Sequence, residues 1–288
     1  MRKGRILLYF VIVIASFFIN FYFRPVKGNK YITDEYKQSN AFINELYKSD
    51  EYFKKKLLDS DHYYIYDSII KASLEDEEEV SIPCESDCVN MMHLSYEALY
   101  LDHPELISFL GSKSFRVSGN KITYHNYENL GKMRTFFATH RIEREMENIR
   151  NDVKNMSDKE KIIYVYDYVA SHDYDQLFTY NGSNQSAYSF FSKGSSVCAG
   201  FAKASQIIFQ NIGISSYLVM SEDHMWNYVQ YEGKYYVFDA TMGASLTNKK
   251  HEWFYRGLGE TTIEETTGLF QELYPKIEDK KLMDIFGL

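Results

Sequence analysis

Glu232-Gly233 stands between two runs of strand character, His224 to Tyr231 and Lys234 to Thr241. A two-residue connection of this kind reads as a hairpin turn, and a hairpin turn fixes register. Tyr231 then faces Lys234, Trp226 faces Asp239 and His224 faces Thr241. Opposed residues share a face, so His224 and Asp239 become diagonal neighbours on one side of the ribbon. Diagonal pairs lie about 7–8 Å apart at the backbone, within side-chain reach. The turn therefore predicts that an imidazole and a carboxylate meet.

Upstream, Val197, Phe201, Ala204, Ile208 and Ile212 recur at helical spacing, with Gly213 in the C′ position. Ser195 and Ser196 read as the N-caps. Cys198 falls in the first turn, where unpaired N–H groups and the helix dipole stabilise a thiolate. The same N–H groups can serve an oxyanion. Gly200 and Ala202 keep the adjacent surface small, and Ile214 to Met220 reads as a further strand. A thiol, a base to hold it as thiolate and a group to orient the base are the parts of nucleophilic acyl transfer. Cys198, His224 and Asp239 are the candidates for those three roles. The pattern alone does not place the helix against the hairpin.

Three strings carry a resemblance: Val197-Cys198-x-Gly200-Phe201-Ala202, His224-x-Trp226-Asn227-x-Val229 and Tyr235-x-Val237-x-Asp239-x-Thr241. In this order they resemble the transglutaminase-like (papain-like cysteine enzyme) superfamily, nearest its bacterial core domains, over about residues 162–243. The resemblance implies an α+β fold whose core packs a catalytic helix on an antiparallel sheet. It implies a thioester on Cys198, with His224 as base and Asp239 as its orienter, resolved by water (peptidase or amidase) or by an amine (transglutaminase). Gln185, Tyr188 and Trp226 become candidates for oxyanion or substrate binding. No cofactor and no metal is implied, and the partner is a peptide or protein substrate such as a cell-wall or surface protein. A catalytically silent binding or scaffolding protein of the same fold, at the cell surface, is the alternative.

The first residues differ in kind. Arg2, Lys3 and Arg5 precede an apolar run from Ile6 to Phe23, broken only by Ser16 and Asn20. At 1.5 Å per residue it spans roughly 27 Å, enough for a bilayer core. Bulky Phe21, Tyr22 and Phe23 stand where a small-residue cleavage site would lie, so an uncleaved signal anchor is expected, with secretion after cleavage as the alternative. Positive residues flank both sides, and export of the C-terminal part is the default reading. The domain expectation is an anchor over 1–30, an accessory helical region with a small hairpin over 31–135, and a catalytic domain over 136–288.

Within the accessory region, stripes at Phe42, Leu46, Phe53, Leu57 and Leu58, and at Tyr63, Tyr66, Ile69 and Ile70, predict helices. The acidic run from Glu75 to Glu79 reads as solvated surface. A helix is expected from Met91, ending near Asp102-His103-Pro104, and a hairpin is expected through Ser118-Gly119-Asn120. Cys84 and Cys88 are open to two readings, a small disulfide or free thiols; a metal site with His93 lacks a fourth ligand. Ile142, Met146, Ile149 and Val153 mark an amphipathic helix, and Ser157 to Glu160 a capping box. His172-Asp173-Tyr174-Asp175 reads as structural or substrate-facing. The net charge of −8 and the lack of a basic stripe with interleaved aromatics exclude the electrostatic footprint of a nucleic-acid binder.

Overall fold

The computed structural model describes residues 50–57, 60–75, 79–84, 87–106, 113–126, 132–175, 184–222, 224–245, 268 and 270–288. All of them belong to one compact unit, residues 39–288. The expected anchor at 6–23, the stripe positions Phe42, Leu46 and Leu58, and the middle of the acidic run, 76–78, lie outside the described residues. Among the described residues no helix is long and apolar enough to cross a membrane.

A short 3-10 turn, Lys54–Lys56, precedes helix α1, Ser60–Glu75, then β1, Glu79–Pro83, and α2, Cys88–Asp102. Strands β2, Lys113–Ser118, and β3, Lys121–Asn126, form the expected hairpin. β1 adds to it in the antiparallel order β1-β3-β2. The sequence carries no clear signal for β1, since Glu79 looks like the tail of the acidic run. Only Ile82 of this strand is buried, so the strand carries little periodic signal. Cys84 and Cys88 form a disulfide that ties the end of β1 to the start of α2.

Helices α3, Lys132–Val153, and α4, Asp158–Ala170, follow. Ile142, Met146, Ile149 and Val153 are all buried, the stripe that periodicity marks. Ser157 and Glu160 make the reciprocal capping box that opens α4. Then come the two-residue strand β4, Asp173–Tyr174, a π-helical turn, Ser189–Lys193, and β5, Ser195–Ser196, parallel to β4. Helix α5, Cys198–Asn211, leads to an antiparallel sheet of β6, Ser216–Met220, β7, Met225–Tyr231, and β8, Lys234–Phe238. Short helices α6, Thr241–Ser245, and α7, Leu282–Phe286, complete the described elements.

The β7–β8 turn is the one the sequence demands. Tyr231 pairs with Lys234 and Asn227 with Phe238. Glu232 and Gly233 both have positive φ, 49° and 76°, as a turn of two left-handed residues requires.

Helix α5 is the shared wall of two apolar clusters. Phe201, Ala204, Ile208 and Ile212 pack with α3, α4 and the sheet. Ala199 and Ala202 pack with Phe53, α1, α2 and β3 on the other side. Every residue from Ala199 to Phe209 is buried, so the helix has no solvent face. The sequence shows only one stripe because its second face is built from small and polar residues. Gln206 Nε2 donates to the Leu101 carbonyl at 3.0 Å, and Asn211 Nδ2 to that of Met146 at 3.2 Å.

Asp102 closes α2 and holds the segment before α1. Its carboxylate accepts from the Phe53 and Lys54 N–H groups, at 3.0 and 2.8 Å, and from the Tyr66 hydroxyl at 3.1 Å. Burial raises this carboxyl to about 6, against the backbone donors that favour its charged form. His103 Nδ1 lies 2.7 Å from Glu105 Oε1, both buried. The Asp102-His103 pair is thus a helix end and clamp. Along the β8 edge of the sheet, the C-terminal segment bridges Tyr235 through Ile277, and Phe286 packs edge-on to Tyr231 at 5.0 Å.

Candidate active site

Cys198 is the first residue of α5, half-buried and the free cysteine of the three. The N-cap is Val197, with no side-chain cap. This corrects the expectation that Ser195 or Ser196 caps the helix. The Ser196 hydroxyl donates backwards to the Asn184 carbonyl at 2.6 Å and lies 2.8 Å from that of Ser189. Gly200 permits this arrangement: a Cβ there would sit 1.9 Å from Ser196 Oγ. Gly200 and Phe201 donate to the Val197 carbonyl, while the N–H groups of Cys198 and Ala199 meet no acceptor among the described residues. An uncapped helix start beside a thiol is a place where an anion can be received.

His224 precedes β7 and is set by a tight turn. Its N–H donates to Ser221 Oγ at 3.2 Å, and its carbonyl accepts from the Ser221 N–H at 2.9 Å. Its Nε2 lies 2.7 Å from Asp239 Oδ2. Cys198 adjoins the same ring and, with Asp239, favours its charged form. Burial opposes charge on the ring. The hydrogen bonds to Asp239 and Cys198, with the attraction of both groups, overcome that and raise the imidazole from 6.5 to about 10. Asp239 is buried, and its second oxygen accepts from the Thr241 N–H at 2.9 Å, at the start of α6.

The packing of α5 against the hairpin, which the sequence leaves open, rests partly on Asn227. Its Nδ2 donates to the Ala202 carbonyl at 2.9 Å, pinning β7 to the helix one turn beyond the thiol. The available signal was an asparagine inside an apolar strand, a residue depleted there unless it has a polar partner.

The other candidates separate by exposure. Trp226 is 1% exposed and stacks under His224, ring centroids 5.9 Å apart and planes 16° apart. Its Nε1–H is enclosed and finds no acceptor among the described residues, so the indole walls the imidazole instead of meeting solvent. Gln185 and Tyr188 keep partly open surfaces on the turn before the π-helical segment. His172 stacks on Phe190 at 4.1 Å and bonds the Tyr168 carbonyl through Nδ1. Burial lowers its pKa, which fits a structural role. Asp175 accepts from Asn184 Nδ2 at 3.2 Å. Cys84 and Cys88, being joined, are not available to a metal. No group of His, Cys, Asp and Glu among the described residues could hold one.

Residues 147–240 match the sequence model of the Transglutaminase-like superfamily, a span that includes Cys198, His224 and Asp239. These residues form a transglutaminase-like core. No curated protein matches the chain. Among solved structures, a TGase is 18% identical with a TM-score of 0.36, covering 57% of this chain and 52% of its own. A proposed cysteine protease from Cytophaga hutchinsonii is 12% identical with a TM-score of 0.30, covering 46% of this chain and 62% of its own. Menin is 17% identical with a TM-score of 0.28, over 53% of this chain and 32% of its own. The chain thus spans less than two thirds of each of these proteins. The architecture is mixed helix and sheet with a transglutaminase-like fold. Superfamily members of this kind are typically cysteine peptidases or acyltransferases.

Proposed function

We propose that this chain is a cysteine acyl-transfer enzyme acting on peptide or protein amides. The observation that carries this reading is His224 held 2.7 Å from Asp239, with Cys198 influencing the same ring from the uncapped start of α5. With the imidazole raised to about 10, His224 carries a proton at neutral pH beside the sulfur. Cys198 Sγ, its proton already passed to His224, attacks the amide carbonyl carbon, and the oxyanion is received near the Cys198 and Ala199 N–H groups of the helix start. His224 gives its proton to the leaving amine as the C–N bond breaks, leaving a thioester. Water or a second amine then attacks; His224 takes a proton from it, and the sulfur departs. Asp239 keeps the ring in place and stabilises its cationic form.

The reading extends to location. We propose that residues 6–23 anchor the chain in a membrane with residues 39–288 exported. The support is the length and hydropathy of that run, together with the Cys84–Cys88 disulfide, which belongs in an oxidising compartment. A cell-wall or surface peptide is then the substrate within reach.

The test is acyl-enzyme trapping. Wild-type protein incubated with an activated peptide ester, then quenched in acid, should carry the acyl mass on the Cys198 peptide; Cys198→Ala should carry none. Adding a labelled amine before the quench separates aminolysis from hydrolysis. A wild-type chain that never acquires the acyl group, though folded, would leave the silent binding protein as the better description.

A further inference from the structure

Lys203 has no part in the chemistry described so far, yet it is only 1% exposed. It lies on α5, and its ammonium donates to the Gln185 carbonyl at 2.8 Å and sits 4.6 Å from the centre of the Tyr100 ring. No carboxylate pairs with it among the described residues. A buried ammonium with one acceptor and one aromatic face is costly to keep. An apolar side chain of the same length would fill the space at lower cost. The position therefore calls for a reason other than stability.

The reason lies in what it holds. Three successive carbonyls of the turn before the thiol are engaged from the protein side. Asn184 accepts from Ser196 Oγ and the Val197 N–H, Gln185 from Lys203, and Ser186 from Ser189 Oγ and the Phe190 N–H. The Ser186 oxygen lies 3.0 Å from where a Cβ on Gly200 would be, and the Asn184 carbonyl holds the Val197 N–H, the residue before Cys198, so the turn runs along the first turn of α5. A trans peptide points its N–H opposite to its carbonyl. The N–H groups of Gln185 and Ser186 are accordingly turned away from these partners, and neither meets an acceptor among the described residues.

Resting on the acyl-transfer reading above, we propose that Lys203 is a positioning residue for that reaction. It fixes the Gln185–Ser186 peptide plane so that this turn presents a donor to the oxyanion forming on the carbonyl attacked by Cys198. Ser196 and Val197 hold the neighbouring plane, while among the described residues only Lys203 holds this one.

The experiment compares two reactions of the same sulfur. Acylation by 4-nitrophenyl acetate passes through an oxyanion and is read as the burst of nitrophenolate. Alkylation by iodoacetamide displaces iodide and forms no oxyanion. Lys203→Met should keep or raise the melting temperature and leave alkylation within about threefold. Its acylation should fall about 10- to 100-fold, at or below the usual effect of losing one oxyanion donor. Lys203→Gln, one bond too short to reach the carbonyl, should show the same split and serves if the methionine variant does not fold. Acylation at the wild-type rate in a folded variant would overturn the proposal, as would an equal fall in both reactions. A wild-type protein that alkylates but gives no burst fails differently, since it overturns the acyl-transfer reading itself.

Discussion

Asp239 divides its carboxylate between two partners: Oδ2 lies 2.7 Å from His224 Nε2, and Oδ1 accepts from the Thr241 N–H at 2.9 Å. One side chain thus orients the base and caps the start of α6. The division predicts how a substitution fails. In Asp239→Asn the amide oxygen is claimed by the Thr241 N–H, a donor with no choice of role, so the amide NH2 turns to Nε2. Nε2 must then be the acceptor, the ring proton moves to Nδ1, and the ring loses the carboxylate that favours its charged form. Acyl transfer should fall by about 10⁴, as when the orienting carboxylate of a serine triad becomes an amide. At pH 7 the melting temperature should fall only by what the charged pairing with His224 contributes, because the cap survives. Melting and burst kinetics on the same preparation check this; a large loss of stability with an unaltered burst would make Asp239 a cap alone.

The raised imidazole sets a pH dependence. Its folded pKa, about 10, lies above the unfolded value of 6.5, so the charged ring stabilises the folded chain. That contribution is fully present below 6.5 and is lost as pH rises through about 10. The unfolding free-energy difference between wild type and His224→Gln should therefore narrow between pH 7 and 10.5, and acyl transfer should lose its general acid near pH 10. Narrowing already complete by pH 7.5 would mean that the ring titrates as an ordinary histidine.

The contrast between His224 and Asn227 shows what the sequence could convey. The meeting of His224 with Asp239 follows from two local facts, strand alternation and a two-residue turn, and both are written in consecutive residues. The closure of α5 onto that hairpin depends on Asn227 reaching the Ala202 carbonyl. No local period encodes such a contact. The second face of α5 was hidden for a related reason. Ala199, Ala202, Lys203 and Gln206 look like a solvent face until α2 and the turn at 184–186 cover them. Ser196 misled in the same way: its hydroxyl suits a cap, but the Asn184 carbonyl competes for it and wins.

Asp102 should matter for the segment at 50–57 more than for the core. Three donors converge on its two oxygens, from Phe53, Lys54 and Tyr66. An asparagine offers one acceptor oxygen and turns two protons toward the rest, leaving at least one donor unmatched. Asp102→Asn should cost about 1–3 kcal/mol, the range for a buried polar group left without its partner. Amide hydrogen exchange should accelerate at Phe53 and Lys54 while residues of β7 keep their protection. Uniform acceleration across the chain would mean that the clamp belongs to the global core instead.

Gly200→Ala pits two known effects against each other. Alanine is favoured over glycine inside a helix by about 1 kcal/mol. Against that, the new Cβ would meet Ser196 Oγ at 1.9 Å, Ser196 Cβ at 2.8 Å and the Ser186 carbonyl at 3.0 Å. The serine cannot simply rotate away, since its hydroxyl is held by the Asn184 carbonyl and sits against Ser189. Overpacking of this kind costs typically 1–3 kcal/mol, so steric strain should outweigh propensity and the variant should melt lower. Strain relieved by moving the turn at 184–186 should also slow acylation of Cys198 more than its alkylation. Ser196→Ala in the same chain removes the 1.9 Å contact but leaves the Cβ at 2.8 Å, so it should restore part of the stability and not all. Gly200→Ala melting at or above wild type would show that the helix and the turn can separate freely, and that glycine is not needed for their close approach.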